Sequence, residues 1–145
     1  MIDHPDRLVP LEAVHNFRDL GGYVTSDGRR VSWRKVFRAD GLYRLTKNDV
    51  ETLRPLGLRT VIDLRTAEEL SERGTFPIAD YPVDFHHFSI IDRTWDMEEA
   101  RQWADQQSEF LRGKYHLMLQ QGGHYVGAAL RVIADAHSEI GRAHV

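Results

Sequence analysis

The chain has 145 residues, of which 41% are hydrophobic and 28% are charged, a composition typical of a single soluble globular domain. Its formal net charge of -3, with both signs interspersed, argues against a nucleic-acid-binding protein. No apolar run approaches the roughly 18 residues of a membrane span, and no signal-peptide core is visible. We therefore expect a cytoplasmic protein without stable membrane insertion.

The chain contains no cysteine, which excludes disulfides, cysteine zinc sites and a thiol nucleophile within these residues. Of its eight histidines only His86 and His87 are close in sequence, and no HExxH or other ligand spacing occurs. We therefore predict no metal site and no cofactor. A metal-dependent hydrolase built on the histidines is the weakest functional alternative.

The first part of the chain predicts a β-meander followed by a helix. In GGYVTSDGRRVSWRKVFRAD, Asp27-Gly28 favours a tight hairpin turn between YVT and RRVSW, and KVFRA follows as a further strand. A helix is predicted from Thr46, with Asp49 completing an imperfect capping box and Gly57 ending the helix.

The next segments alternate strand and helix. RTVIDLR is a compact apolar run, which favours a strand buried on both faces. Thr66 and Glu69 occupy capping-box positions before a short helix over AEELSERG, and YPVDFHHFSI has the alternation of a half-buried strand. This order predicts an α/β sheet with crossover connections.

The pattern from Trp95 onward is helical, and Gly113 and the pair Gly122-Gly123 are expected to interrupt it. The last helix, over YVGAALRVIADA, keeps the i, i+3, i+4 spacing of an apolar face and is expected to bury that face in a core. Such a helix should lead into another strand, yet no strand is predicted after it.

Asp63 is the most informative polar residue, because it lies in the apolar run RTVIDLR. A carboxylate there must be paired or must face a cleft at the strand end, since burying it unpaired is costly. Ligands of open α/β sheets bind beyond the carboxyl ends of the strands, and Asp63 and Arg65 occupy such an end. Both interpretations stay open for Asp63, whereas composition alone favours a surface ion pair for Arg18 and Asp19.

Three stretches resemble the bacterial tyrosine-phosphatase family of the mycobacterial phosphatase B type in their order, spacing and residue identities: NFRDLGG, FRADGLYRLTKND and LGLRTVIDLRTAEEL. The similarity covers about Val14 to Ala136. It implies an α/β, cysteine-dependent phosphatase fold that hydrolyses phosphate monoesters on proteins, small molecules or phosphoinositides. It also implies a His-Cys-x-x-Gly-Lys-Asp-Arg-Thr-Gly loop, whose thiolate attacks phosphorus to form a phosphocysteine.

The resemblance assigns roles to individual residues. Asp63 matches the aspartate of the family's DLR motif, which protonates the leaving oxygen and then serves as the base for water. Arg38 matches an arginine of the phosphate pocket, with a plain surface arginine as the alternative. Arg65, Arg18 and Asp19 are weaker candidates for substrate binding, because a structural ion pair would explain them equally well.

The family's nucleophile and phosphate-binding loop have no counterpart in these residues, and EIGRAHV, written back as codons, resembles a sequencing-library adapter. We therefore expect residues 1–138 to be the N-terminal portion of a phosphatase domain, without the catalytic-loop strand and following helices. Residues 139–145 are expected to be a non-native tail, and the fragment to be inactive. The alternative is a non-catalytic phosphoprotein- or phospholipid-binding module that uses Arg18, Arg38 and Arg65.

Overall fold

The computed structural model describes residues 4–91 and 107–137, and the backbone of residues 143–144. Its strands are β1 (Arg18–Asp19), β2 (Phe37–Arg38), β3 (Leu58–Asp63), β4 (Asp84–His87) and β5 (Ala143–His144). Its α-helices are α1 (Lys47–Leu53), α2 (Ala67–Arg73) and α3 (Gln107–His137), with 3₁₀ turns at Pro5–Arg7, Leu42–Arg44 and Arg54–Leu56. The predicted mixture of helix and sheet is confirmed. Residues 95–106 of the predicted helical pattern lie outside the described residues, and its continuation from residue 107 is helical.

The chain divides into two compact units, one comprising residues 1–62, 75–86 and 133–145, the other residues 63–74 and 87–132. The first unit contains a hydrophobic core made of Val14, Phe17, Phe37, Val50, Leu53, Leu58, Val61, Phe76 and Tyr81. Phe17 is completely buried, and its ring centroid lies 5.4 Å from that of Phe37. The NFRDLGG stretch is therefore anchored in the core through its phenylalanine. None of the helices in the described ranges is long and apolar enough to cross a membrane.

The predicted turn at Asp27-Gly28 is confirmed. Gly28 has a φ of 82°, which favours glycine, and its N–H donates to the carbonyl of Thr25 at 2.9 Å. The flanking strands are shorter than predicted: Val24 and Arg30 form only an isolated antiparallel bridge. The regular pairing occurs instead between β1 and β2, which are antiparallel.

Helix α1 begins at the predicted capping box. The hydroxyl of Thr46 accepts the N–H of Asp49 at 3.1 Å, and the Asp49 carboxylate accepts the N–H of Thr46 at 3.2 Å. The same carboxylate is 1% exposed and also accepts the N–H groups of Glu12 at 2.5 Å and Ala13 at 3.2 Å. Burial opposes ionisation, but these hydrogen bonds outweigh it and lower the pKa of Asp49 below its ordinary value. As predicted, Gly57 ends the helical segment, with a φ of 65°.

Strand β3 is buried on both faces, as predicted. The consecutive residues Thr60 and Val61, whose side chains point to opposite faces, are 4% and 1% exposed. β3 lies between β4 and β5 in a three-stranded sheet. β5 is parallel to β3, with Ala143 opposite Leu58. The expectation that no strand follows the last helix is therefore wrong for residues 143–144.

Helix α3 is continuous over 31 residues, so the expected interruptions at Gly113 and Gly122-Gly123 do not occur. An interior glycine weakens a helix by about 1 kcal/mol relative to alanine, which is too little to end a long one. The expectation of a buried apolar face is also wrong, since Leu130 is 60% exposed. Val126, Ala129 and Ile133 are half-buried.

We predict that Asp49→Ala lowers the free energy of unfolding by about 2–4 kcal/mol, because it removes a helix cap and an acceptor for buried N–H groups. Urea denaturation followed by circular dichroism measures this loss. Since the folded-state pKa of Asp49 lies below its unfolded value near 3.8, the stabilisation is present above that value. It is lost as the pH falls through the folded-state pKa.

Glu51→Ala is the matched control for Asp49→Ala. Glu51 lies on the surface of the same helix, where its carboxylate accepts a hydrogen bond from Arg54 at 2.8 Å and its side chain is 66% exposed. Exposed pairs of this kind contribute about 0.5 kcal/mol or less. Equal losses in the two variants would contradict the role assigned to Asp49.

Gly122 and Gly123 provide a second matched pair. A Cβ added at Gly122 would lie 2.3 Å from the carbonyl oxygen of Ile90, whereas one at Gly123 would have no neighbour within 4 Å. We predict that Gly122→Ala lowers the free energy of unfolding by about 1–3 kcal/mol through overpacking. Gly123→Ala should raise it by about 0.5–1 kcal/mol through helix propensity. Thermal unfolding of both variants tests this, and shifts of the same sign would contradict the close contact at Gly122.

Candidate functional site

The carboxyl end of β3 leads through a short turn into α2. Thr66 caps α2: its hydroxyl accepts the N–H of Glu69 at 3.2 Å, and the Glu69 carboxylate accepts the N–H of Thr66 at 3.0 Å. Thr66 is 1% exposed, so the predicted capping box is confirmed in a buried position. Only Leu64 and Arg65 lie between Asp63, the last residue of β3, and this cap.

Asp63 and Arg65 form a close ion pair across this turn. The Arg65 Nη2 atom lies 2.6 Å from Oδ2 of Asp63, and Nε lies 3.0 Å from Oδ1. The Arg65 backbone N–H also donates to Oδ1 at 3.1 Å. The two side chains are only 12% and 20% exposed, for Asp63 and Arg65 respectively. Asp63 is therefore paired with Arg65 in the strong bidentate geometry of an arginine and a carboxylate, and its predicted role as a catalytic acid stays a prediction.

Backbone contacts hold the same turn in place. The ring Nε2 atom of His87 donates to the carbonyl of Arg65 at 2.8 Å, since a carbonyl can only accept. The N–H of Phe88 donates to the carbonyl of Asp63 at 2.9 Å, and Nη2 of Arg65 donates to the carbonyl of Gly74 at 2.9 Å. The turn is therefore fixed by its backbone as well as by its ion pair.

The sequence indicated His87 only as a possible metal ligand, and its contact with Arg65 was not predicted. The signal that could have found it is position, because His87 ends the strand that neighbours β3 in the sheet. His86 contacts Asp84 at 2.9 Å instead. Within the described part of the chain, no group of three or more histidine, aspartate or glutamate residues could hold a metal ion.

Asp19 is a buried carboxylate of the first unit. It is 3% exposed, and its two oxygens accept the N–H groups of Gly21 and Arg34, both at 2.7 Å. Among the described residues no ion pair joins Asp19 to Arg18, so the expected surface pair is absent. Asp19 thus connects the two ends of the loop that joins β1 to β2. Its predicted contact with substrate stays a prediction.

Arg18 and Arg38 lie directly opposite each other in the β1–β2 register. Such pairs have Cβ atoms about 5 Å apart, and two like charges in this position destabilise the sheet. Arg38 is exposed and Arg18 is half-buried. No ion pair of either guanidinium occurs among the described residues. An anion placed between them would relieve their repulsion.

Arg7 was not anticipated, because nothing in HPDRL distinguishes it from a surface residue. It is nevertheless 4% exposed, and its Nε donates to the carbonyl of Gly21 at 3.1 Å. Its guanidinium carbon lies 3.5 Å from the centroid of the Tyr23 ring. This cation–π stacking fixes the N-terminal segment against the loop after β1.

Comparison with known proteins places the chain in a family. A sequence model described as the tyrosine phosphatase family matches residues 9–143. The chain belongs to the tyrosine phosphatase family. A stretch of 60 residues is also 37% identical to a Cupriavidus necator protein named "Putative tyrosine-protein phosphatase". That match covers 41% of this chain and 22% of the relative's length.

The tyrosine phosphatase match includes every candidate site residue, and these residues fall into two groups. Asp63 and Arg65 contact each other in the second unit. Arg18 and Arg38 are paired in the first unit, which also contains Asp19. The predicted residues Asp63 and Arg65 therefore form an ion pair, and the predicted residues Arg18 and Arg38 are neighbours across two paired strands.

We predict a coupling energy of about 1–3 kcal/mol between Asp63 and Arg65 in a double-mutant cycle with Asp63→Asn and Arg65→Met. The two groups are mostly buried and make three side-chain hydrogen bonds, so screening by water is limited. Urea denaturation of the four proteins gives the coupling. The control is a cycle of Asp63→Asn with Arg73→Met. Arg73 is exposed on α2, so this pair should show no coupling energy. A coupling below about 0.3 kcal/mol for the first pair would contradict the close ion pair.

Proposed function

We propose that the protein to which these residues belong is a cysteine-dependent phosphatase that hydrolyses phosphate monoesters on tyrosine, and in related substrates on serine, threonine or phosphoinositides. The proposal is supported chiefly by the tyrosine phosphatase match over residues 9–143. The strand-end position of Asp63 adds to it, because ligands of α/β sheets bind at this edge.

The proposed chemistry needs a thiolate, which these 145 residues do not contain. In the first step the thiolate attacks phosphorus, the bond from phosphorus to the leaving oxygen breaks, and Asp63 gives its proton to that oxygen. In the second step Asp63 accepts a proton from water, whose oxygen attacks phosphorus. The phosphorus–sulfur bond then breaks, which releases inorganic phosphate and regenerates the thiolate.

Arg65 has a defined part in this proposal. A general acid must carry a proton, and in the structure both oxygens of Asp63 accept hydrogen bonds from Arg65. The arginine must therefore release the carboxylate before acid catalysis. A phosphate dianion is a suitable competitor, because arginine binds it in the same bidentate manner. In this proposal, substrate binding transfers Arg65 from Asp63 to phosphate.

Arg18 and Arg38 are proposed as the second anion-binding group. Their adjacency in the β1–β2 register concentrates positive charge, and neither has an ion pair among the described residues. Phosphate or an acidic side chain of a protein substrate would satisfy both guanidinium groups. Asp19 supports this group indirectly, since it is buried beside Arg18 in β1.

The experiment compares this chain with a longer gene product that carries a His-Cys loop. The 145-residue chain should not hydrolyse p-nitrophenyl phosphate, whereas the longer protein should, and replacement of its loop cysteine by serine should abolish activity. Asp63→Asn in the longer protein should lower kcat about 10²–10⁴-fold. The loss of kcat should be greater for phosphotyrosine than for p-nitrophenyl phosphate, because the phenolate of tyrosine is the more basic leaving group and needs a proton more.

Glu68→Gln, on the exposed face of α2, is the control for Asp63→Asn and should leave kcat unchanged. Hydrolysis by the 145-residue chain alone would contradict the thiolate mechanism. An unchanged kcat in Asp63→Asn would contradict only the role of the aspartate.

A non-catalytic phosphate-binding module is the second candidate, favoured by the absence of cysteine and by the adjacency of Arg18 and Arg38. It would bind a phosphotyrosine peptide saturably, and Arg38→Ala would abolish that binding. Arg59→Ala, at an exposed position of β3, is the control. Binding of this kind together with an inactive longer protein would replace the enzymatic proposal.

A further inference from the structure

The loop between β1 and β2 is a hairpin, residues 22–35, which we call the basic hairpin. Its two arms are joined by backbone hydrogen bonds, including those from Val31 N to Tyr23 O at 2.9 Å and from Thr25 N to Arg29 O at 2.8 Å. The Asp27-Gly28 turn forms its tip. The family's proposed chemistry does not use this hairpin.

The basic hairpin has a charge opposite to that of the rest of the chain. It carries four cations and one carboxylate, Asp27, for a net charge of +3 in a chain whose total is -3. The remaining residues therefore carry -6. The Asp27 carboxylate forms an ion pair with Arg29, in which Nε of Arg29 lies 2.7 Å from Oδ2 of Asp27. Arg34 and Lys35 have no ion pair within the described part of the chain.

The same hairpin exposes apolar side chains. Val24 is 59% exposed, and Tyr23, Val31 and Trp33 are 41%, 40% and 39% exposed. Val24 lies opposite Arg30 across the hairpin, so an aliphatic and a cationic side chain share one face near the tip. Such a mixture of exposed valine, aromatic rings and basic residues is typical of protein surfaces that bind at the membrane–water interface.

The exposed rings are held in place by neighbours. Arg7 stacks on Tyr23 with its guanidinium carbon 3.5 Å from the ring centroid. The ring of Trp33 lies so close to Gly22 that a Cβ there would be 2.3 Å from it, and its centroid is 5.3 Å from that of His4. The apolar surface is therefore built into the fold of the first unit.

We propose that the basic hairpin binds the surface of a membrane that contains anionic phospholipid, with its cations on the headgroups and Val24 in the interfacial region. Each basic residue near such a surface strengthens binding about fivefold, and salt weakens the attraction. Nucleic acid fits less well, because a phosphate backbone offers no partner for exposed valine side chains. This attachment is peripheral and reversible, and it is independent of the proposed catalysis.

The test is sedimentation of the 145-residue chain with vesicles of phosphatidylcholine alone, or with about one quarter phosphatidylglycerol. The chain should bind only the anionic vesicles at about 0.02 M salt and should dissociate at about 0.5 M. Arg30→Glu with Arg34→Glu should weaken binding at least about tenfold. Val24→Ser, which keeps the charge, should weaken it about threefold.

The control is Arg112→Glu with Arg131→Glu, two exposed positions of α3 that change the net charge equally. It should bind the anionic vesicles like the parent chain, and all variants should show the parent's thermal unfolding temperature. The proposal is overturned if the parent chain does not bind anionic vesicles, or if the control loses as much binding as the hairpin variant. Tighter binding to a DNA duplex than to the vesicles at equal salt would also overturn it.

Discussion

The buried carboxylate of Asp49 joins segments of the first unit that are 37 residues apart in sequence. It accepts the N–H groups of Glu12 and Ala13, and the Glu12 carboxylate reciprocates by accepting hydrogen bonds from Thr46 at 2.9 Å and Asn48 at 3.0 Å. The chain that leads into NFRDLGG is thereby fixed to the start of α1. Phe17 enters the core a few residues later, so the position of β1, and of everything attached to it, depends on this contact.

The features that the sequence predicted well are determined by neighbouring residues. The capping boxes at Thr46 and Thr66, the helix end at Gly57 and the turn at Gly28 each depend on residues within four positions. Strand β3 was predicted equally well, because an apolar run with β-branched residues at its centre favours burial on both faces. These elements position Asp63 at a strand end, which is why the sequence identified it as a candidate site residue.

The features that were not predicted depend on contacts between distant segments. The register that brings Arg18 opposite Arg38 joins residues 20 positions apart, and no local pattern encodes it. The burial of Arg7 depends on the ring of Tyr23 and the carbonyl of Gly21. The glycine at position 122 of α3 allows the close approach of the Ile90 backbone, a packing constraint that sequence periodicity cannot express. Sequence therefore indicated the elements, and tertiary contacts decided the neighbours of each candidate residue.

In the proposed mechanism, the turn after β3 would combine a fixed backbone with a change of partner for the Arg65 side chain. The carbonyl groups of Asp63 and Arg65 accept hydrogen bonds from Phe88 and His87, so the backbone is held from the neighbouring strand. The Nη2 atom of the Arg65 guanidinium also donates to the carbonyl of Gly74, so one hydrogen-bond acceptor besides the carboxylate lies within its reach. Release of Asp63 then requires rotation about side-chain bonds only. Rotations of this kind are fast compared with backbone rearrangement, so such a turn would deliver a proton without losing the geometry that aims the carboxylate.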